Sequence, residues 1–350
     1  MPVGKAQDAP KESAGPDYRY VVPCFTQIDE ARIRDHLNRN HFFWLDLTAP
    51  SHEDLDRLGK LFHFHPLALE DSEEFGQRPK LDNYGDYVFL VFYGAWYDRS
   101  PGAELLAEVH LFISGEYVVT IHRQPMASFD EQRERLDGRT LHSEQFLIYR
   151  VLDALTDSFF PVLSDMDDQI DDLESAVLEN PTDAELERLF ELKRQLIAMR
   201  KVVVPQRDLF ARSIEQIAEL PGLQLDERDY FRDVYDHLIR ISDLIDSYRD
   251  LLSGATDLYL STISNRQNDV MKQLTVIATI FLPLSFITGF FGQNFAYMVA
   301  HLIRSPWTFW VIGVGSMVAT CIGLLIYFRR KGWVKLGTPD RARSARAHSA

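Results

Sequence analysis

The sequence predicts an α/β N-terminal cytosolic domain, then a long helical bundle, then two C-terminal transmembrane helices. Three observations predict this. Strand-like and short helical segments alternate across about residues 18–123, no convincing strand pattern follows Pro125, and residues 273–328 are almost free of charge. With 350 residues, 46% of them apolar and 25% charged, the chain has ample material for a core and is not mainly disordered or collagen-like.

Each element follows from local chemistry. Residues 29–38 read as a short helix with Ile33 and Leu37 on one face, and 42–47 as a short apolar strand. Ser51 caps a helix running through Leu61, with Asp54 at the capping-box position. Pro66 suits the first turn of the next helix, which ends near Asp71. Residues 77–83 form a polar break. Aromatic and β-branched residues then mark strands at 87–97, 104–113 and 117–121, the last two joined by Ser114-Gly115-Glu116 as a hairpin. From 143 to 178 apolar residues recur at helical spacing, from Leu147 and Val151 through Ile170 and Leu173. Asn180-Pro181 interrupts that helix, and Thr182, with Glu185 three residues on, caps another that reaches about 220. Pro221-Gly222 breaks the chain again. From 226 no strong breaker follows before about 292, which predicts a helix of roughly 100 Å with a kink at Pro283. Helices this long cannot bury themselves in a monomer of this size, so the pattern predicts self-association.

The formal net charge is −15, yet residues 329–350 hold seven Lys/Arg and one Asp, so the acidity belongs to the body. An acidic body argues against nucleic acid and for cations as partners. A basic run directly after an apolar stretch reads as a cytoplasmic membrane anchor. Cys24 and Cys321 are too far apart in sequence for a CxxC metal motif or a disulfide framework. Residues 1–16 lack the apolar segment of a signal peptide and are expected to be disordered.

Residues 274–292 carry no charge over 19 positions and 307–328 none over 22, each long enough to cross a bilayer as a helix in contact with lipid. Trp307, Trp310, Tyr327 and Trp333 stand where aromatic belts stand. Arg266 and Lys272 precede the first span, and Arg329, Arg330, Lys331 and Lys335 follow the second; the connecting segment holds only Arg304 and His301. The positive-inside rule then puts both termini in the cytoplasm of a multi-pass plasma (inner) membrane protein. The expected division is a disordered tail at 1–17, an α/β cytosolic domain at 18–142 and a long-helix stalk at 143–272. A first membrane helix at 273–292, an outer loop at 293–306, a second membrane helix at 307–328 and a basic cytosolic tail at 329–350 complete it.

One hairpin encloses no pore, so the shape suits a channel subunit. A face of the first span reads Met271, Leu274, Ala278, Leu282 (or Phe281), Ser285, Gly289 and Gly292: apolar at the inner end, small or weakly polar at the outer end. Rings of these residues make a pore with an apolar constriction that gates by dewetting. The same pattern also describes a helix–helix contact rich in small residues. At the outer end lies Gly292-Gln293-Asn294. An Asn amide ring offers carbonyl oxygens to metal-bound water without stripping it, which suits a cation that dehydrates as reluctantly as Mg²⁺.

In the segments YLSTISNRQNDVMKQLTVIATIFLPLSFITGFFGQN (259–294) and HPLALEDSEEFGQRPKLDNYGDYVFLVFY (65–93), and in the order of its motifs from about residue 40, the sequence resembles the CorA family of divalent-cation transporters. The resemblance implies a homopentameric, funnel-shaped channel in which the long cytosolic helix and the first span form one pore-lining helix. It implies Asn294 as the selectivity residue with Gly292 beside it, and Asn268, Met271, Leu274, Leu282, Ser285 and Gly289 facing the pore. Asp257 is expected to face the cytosolic funnel, and Asp98 and Asp233 to bind a regulatory cation between cytosolic domains. Two features depart from the family. Gln293 replaces the Met of its Gly-Met-Asn signature, and residues 295–302 carry no acid. These keep a zinc-transporting, ZntB-like branch open beside Mg²⁺, Co²⁺ and Ni²⁺, with His301 as a possible zinc contact.

Other features point elsewhere or nowhere. His63 and His65 stand two apart but at a helix entry, and the acids between Asp165 and Glu174 read as a solvated helix face or a cation-attracting surface. With no Gly-rich phosphate loop and no nucleophile–base pattern, the chain is not expected to be an enzyme or to need a cofactor. The expected partners are the chain itself, divalent cations and the lipid bilayer. Three functions compete: potential-driven Mg²⁺ transport, zinc transport with possible proton coupling, and a membrane-anchored cation sensor that conducts nothing.

Overall fold

The computed structural model describes residues 20–96, 105–136, 140–141, 144–218, 228–293, 296, 301, 307 and 309–333. They fall in two compact units, Met1–Asp257 and Leu258–Ala350.

Unit 1 is built on a six-stranded mixed sheet of β2 (Cys24–Phe25), β3 (Phe43–Thr48), β4 (Lys80–Asn83), β5 (Val88–Ala95), β6 (Leu106–Ile113) and β7 (Tyr117–His122). Its order is β2-β3-β7-β6-β5-β4; β3 runs parallel to β2 and β7, and the other pairs are antiparallel. Every residue of β5 and β7 is buried. That is why these strands read as continuous apolar runs instead of alternating ones: helices cover both faces. On one face pack α1 (Glu30–Asn38), α2 (His52–Phe62) and α3 (Pro66–Glu74), whose Phe62 and Phe64 neighbours stack against Tyr117 and Phe112. On the other lie α4 (Ala127–Leu136) and the long helices, with Trp44 edge-on to Phe129 and Phe92 against Phe210.

Local signals set these ends. Ser51 and Asp54 form a reciprocal capping box, and Pro66 opens α3 behind a His65 cap. The β6–β7 hairpin turns at Ser114-Gly115-Glu116. Three expectations need correction. The polar break at 77–83 contains β4, an edge strand whose pairing with β5 supplies what its composition does not. A two-residue strand β8 (Thr140–Leu141) does follow Pro125; it pairs with β1 (Tyr20–Val21), a distant contact with no local pattern. The helix expected over 143–178 is two, α5 (Glu144–Asp157) and α6 (Phe159–Glu179). Pro161 lacks the N–H that the Asp157 carbonyl needs, and the Ser158 hydroxyl instead accepts from the Ala95 amide at 2.7 Å.

Helix α7 (Asp183–Ala218) follows, and α8 (Arg228–Phe291) has 64 residues, about 96 Å. Its Phe231, Val234, Leu238, Ile241, Ile245, Tyr248, Leu252, Ala255 and Tyr259 form a buried stripe at helical spacing. Gln206 of α7 accepts from the Tyr93 amide at 2.6 Å and ties this layer to the middle of β5.

Unit 2 holds the rest of α8, a π-helical turn at Phe309–Val314 and α9 (Gly315–Arg330). Tyr230–Phe291 and Trp310–Arg330 contain stretches long and apolar enough to cross a membrane, and only 6% and 11% of those stretches are buried. A soluble core helix is mostly buried, so these stretches read as membrane-spanning helices.

Inside unit 1, Asp46 is buried and its carboxylate collects the Thr120 hydroxyl at 2.6 Å, His122 Nε2 at 2.9 Å and the Arg133 guanidinium; Trp44 donates to Thr120 at 2.9 Å. Removing one partner of a buried charge pair costs about 3 kcal/mol. Asp46→Ala is therefore expected to lower the melting temperature of the purified protein by roughly 6–12 °C. A melting curve indistinguishable from wild type would show that the network contributes no stability.

Candidate functional site

The candidate ion path is one face of α8. Placed on an ideal helix, Asp257, Asn268, Met271, Leu274, Leu282, Ser285, Gly289 and Gly292 fall within a sector of about 120°. All eight are exposed, Leu282 by 75% and Leu274 by 59%. The buried stripe from Phe231 to Tyr259 is centred about 140° round the helix from Asp257, so Asp257 is turned away from the core that holds the helix. Polar side chains along the apolar part are satisfied locally: Thr275 donates to the Met271 carbonyl at 2.8 Å and Thr288 to the Leu284 carbonyl at 3.0 Å.

At its C-terminal end α8 stops at Phe291, and Gly292 closes the last turn with its amide 2.9 Å from the Thr288 carbonyl. A Cβ on Gly292 stands 3.1 Å from that same carbonyl oxygen, so glycine is what lets the turn close tightly. Gln293 is exposed and its amide bonds to the Phe290 carbonyl at 3.3 Å. Asn294 and Asp98 lie outside the described residues. At the N-terminal end of the apolar stretch Asn268, Met271, Lys272, Thr275 and Trp333 line one cavity of about 450 Å³. The start of the first span and the end of the second therefore meet, and Lys331 sits over the Tyr327 and Trp333 rings.

A second cluster was not evident in the sequence. Asp153 and Asp157 of α5 and His237 of α8 offer ligand atoms that all lie within 4.8 Å of one another. His237 Nδ1 is 3.1 Å from Asp157 and 3.8 Å from Asp153, yet this buried atom makes no well-formed hydrogen bond. Asp233, one turn before His237, stands 3.8 Å from its Nε2 and accepts the Tyr149 hydroxyl at 3.1 Å. Burial, then the neighbouring Asp157 charge, pushes the Asp153 carboxyl up to about 6 despite Arg150 and His237. Such a site favours a proton or a cation over its own unpaired charge. The spacing was visible, Asp153/Asp157 and Asp233/His237 each four apart on one helix face, but nothing local pairs α5 with α8.

Other candidates do not gather. His63 is the left-handed C-cap of α2, and His65 caps α3 and stacks on Tyr84. Among the described residues Asp153, Asp157 and His237 form the one group of metal-binding geometry. Along α6, Asp168, Asp171 and Asp172 are exposed while Met166, Ile170 and Leu173 are buried, a solvated helix face.

The family described as CorA-like Mg²⁺ transporter protein matches residues 39–330. A cobalt/magnesium transport protein CorA of Thermotoga maritima is 37% identical over 83% of each chain, and a putative metal ion transporter of Bacillus subtilis, YfjQ, is 34% identical over 84% of this chain and 91% of its own. A zinc transport protein ZntB of Yersinia enterocolitica is 27% identical over 62% of this chain and 66% of its own. Among solved structures, the complete CorA magnesium transporter of Methanocaldococcus jannaschii superposes with a TM-score of 0.71 at 24% identity, covering 83% of this chain and 91% of that one. An α/β domain, a helix running into a charge-free span, and a second span ending in basic residues are thus explained together: the chain belongs to the CorA family of metal-ion transporters.

Proposed function

We propose that five copies of this chain form a plasma-membrane channel for divalent cations, Mg²⁺ and also Co²⁺ and Ni²⁺, with both termini in the cytoplasm. The observation that carries this reading is the exposed face of α8, which leads from Asp257 through Asn268, Met271 and Leu274 to Gly292. Asn294 forms the mouth, where its amide receives the hydrated ion, and Met271 and Leu274 form the apolar gate. The relatives named for cobalt and magnesium transport support this choice of ions. Inward movement of a divalent ion gains about 4.6 kcal/mol per 100 mV, so no chemical fuel is needed.

Zinc transport is the second reading. Gln293 in place of the signature Met and the acid-free residues 295–302 favour it, and the ZntB relative shares the family. Parallel liposome flux of Mg²⁺, Co²⁺, Ni²⁺ and Zn²⁺ separates the two. Flux that follows the pH gradient and is fastest for Zn²⁺ selects zinc, and binding without any flux selects a sensor.

Regulation is assigned to Asp233, which belongs to the group around Asp153, Asp157 and His237; Asp98 is its expected counterpart from the neighbouring copy. A cation held there stabilises whichever packing it bridges.

In mild detergent the assembly is expected at about five times the 40.4 kDa chain mass by light scattering; a stable monomer or dimer removes the central pore. Asn294→Ala is expected to abolish selective flux without dissolving the assembly, whereas Gln293→Met keeps transport. Normal flux through Asn294→Ala would end the mouth assignment. Millimolar Mg²⁺ is expected to slow proteolysis of the cytosolic part at pH 7.5, and less so in Asp233→Ala. Protection should weaken as the pH falls through about 6, because Asp153 then holds a proton where the cation needs a carboxylate. Digestion that ignores both Mg²⁺ and pH contradicts the regulatory assignment.

A further inference from the structure

We propose that a cleft of unit 1, sharing no residue with the ion path or the Asp153–His237 cluster, binds a small phosphorylated anion. The cleft has a volume of about 470 Å³, within the range of about 300–1,000 Å³ typical of small-molecule sites. It lies where the corner after α3 meets the start of β6, the segment after β7, and α7.

Two guanidiniums line it from separate elements: Arg123, just past β7, and Arg194 on α7. The chain has a net charge of −15, and several arginines elsewhere find carboxylates, as Arg57, Arg150 and Arg200 do. Among the described residues neither cleft arginine has such a partner. Arg123 donates to the Glu74 carbonyl at 2.6 Å and lies 4.6 Å over the Phe75 ring, while the Arg194 side chain is exposed.

One acid does line the cleft, but its charge is already engaged. Glu108 accepts the Gly76 amide at 2.6 Å, the Gln77 amide at 2.9 Å and faces His110 Nε2 at 2.8 Å. Burial raises its carboxyl, but these hydrogen bonds outweigh burial and hold it below the ordinary range. The same bonds fix the corner. Phe75 has φ 57° and ψ −173°, a conformation that side chains other than glycine's adopt only when their surroundings enforce it, and Gly76 follows at φ 80°. Enforced strain of this kind concentrates at ligand clamps.

A guanidinium fork matches phosphate oxygens two at a time, and two forks from different elements suit a multiply charged group. The apolar walls at Leu105 and Leu106 leave room for an organic body beside it. A phosphate ester or polyphosphate therefore fits both halves of the cleft.

Isothermal calorimetry on the full-length protein in detergent, in metal-free buffer, tests this with sodium tripolyphosphate, ATP and adenosine. Binding of tripolyphosphate and ATP but not adenosine is expected, weakening at high salt. Tripolyphosphate binding without ATP binding also supports the site and assigns it to inorganic polyphosphate. Arg194→Gln should weaken binding about tenfold with an unchanged melting temperature, since Arg194 makes no ion pair that the fold needs. Adenosine binding as tightly as ATP, no binding of either phosphate probe, or equal affinity in Arg194→Gln overturns the proposal.

Discussion

The rest of the structure depends on a helix that the chain cannot bury. Helix α8 has 64 residues, and its apolar stripe is covered only as far as Tyr259. Beyond it Met271, Leu274, Phe281, Leu282 and Phe286 are each exposed by 59% or more. At about 25 cal/mol per Å² of apolar surface, leaving several such side chains in water costs many kcal/mol, more than a domain's net stability allows. In the assembly proposed above, lipid covers one side of such a helix and copies of the chain cover another. The membrane and self-association thus have one cause, and the second span, closing at Trp333 beside Asn268 and Met271, shares that surface.

What steadies this helix is the sheet. β4 pairs with β5 only as far as Val91, so beyond that residue the amides on this edge of β5 need partners from the covering layers. β5 receives two: Gln206 at Tyr93 and Ser158 at Ala95. Gly94 lies between them, where an added Cβ stands 3.0 Å from the Leu155 and Ser158 side chains, so a larger residue would push these neighbours back. The helical layer is fastened to the C-terminal half of β5, and α7 reaches α8 in turn through Arg200 and Asp246 at 2.9 Å.

The parts legible in the sequence are those whose cause is local. The capping box at Ser51, Pro66 at a helix start, the Ser114–Glu116 hairpin and the two charge-free spans each announce themselves within a few residues. β4 and β8 do not, since each depends on a partner far along the chain; the break at Ser158 has a local cause in Pro161, but a proline in the first turn of a helix is as common as one that divides two helices. The candidate site divides the same way. The face from Met271 to Gly292 follows from helical spacing, while Asn268 and Asp257 are expected only from the resemblance. The Asp153–Asp157–His237 group does not, because two acids four apart on α5 are ordinary until α8 brings an imidazole to them. Glu108 and Arg123 likewise gain meaning only from the corner at Phe75.

Cation control through that group has to meet a quantitative condition. Moving a two-state equilibrium from 1:99 to 99:1 takes about 5.5 kcal/mol of differential binding. One exposed carboxylate site does not supply this, and a cation bound equally well in both states supplies nothing. In the pentamer proposed above, switching as a unit, each subunit need contribute only about 1.1 kcal/mol, a fifth of the total. That is within reach of a single added ligand such as His237 or Asp233. It also requires the second state to separate α5 from α8 at this point, since only then are the ligand atoms, within 4.8 Å of one another here, no longer able to share an ion. The helix proposed to line the path is also the one that carries His237, so the regulatory group and the proposed path share an element of the chain, α8.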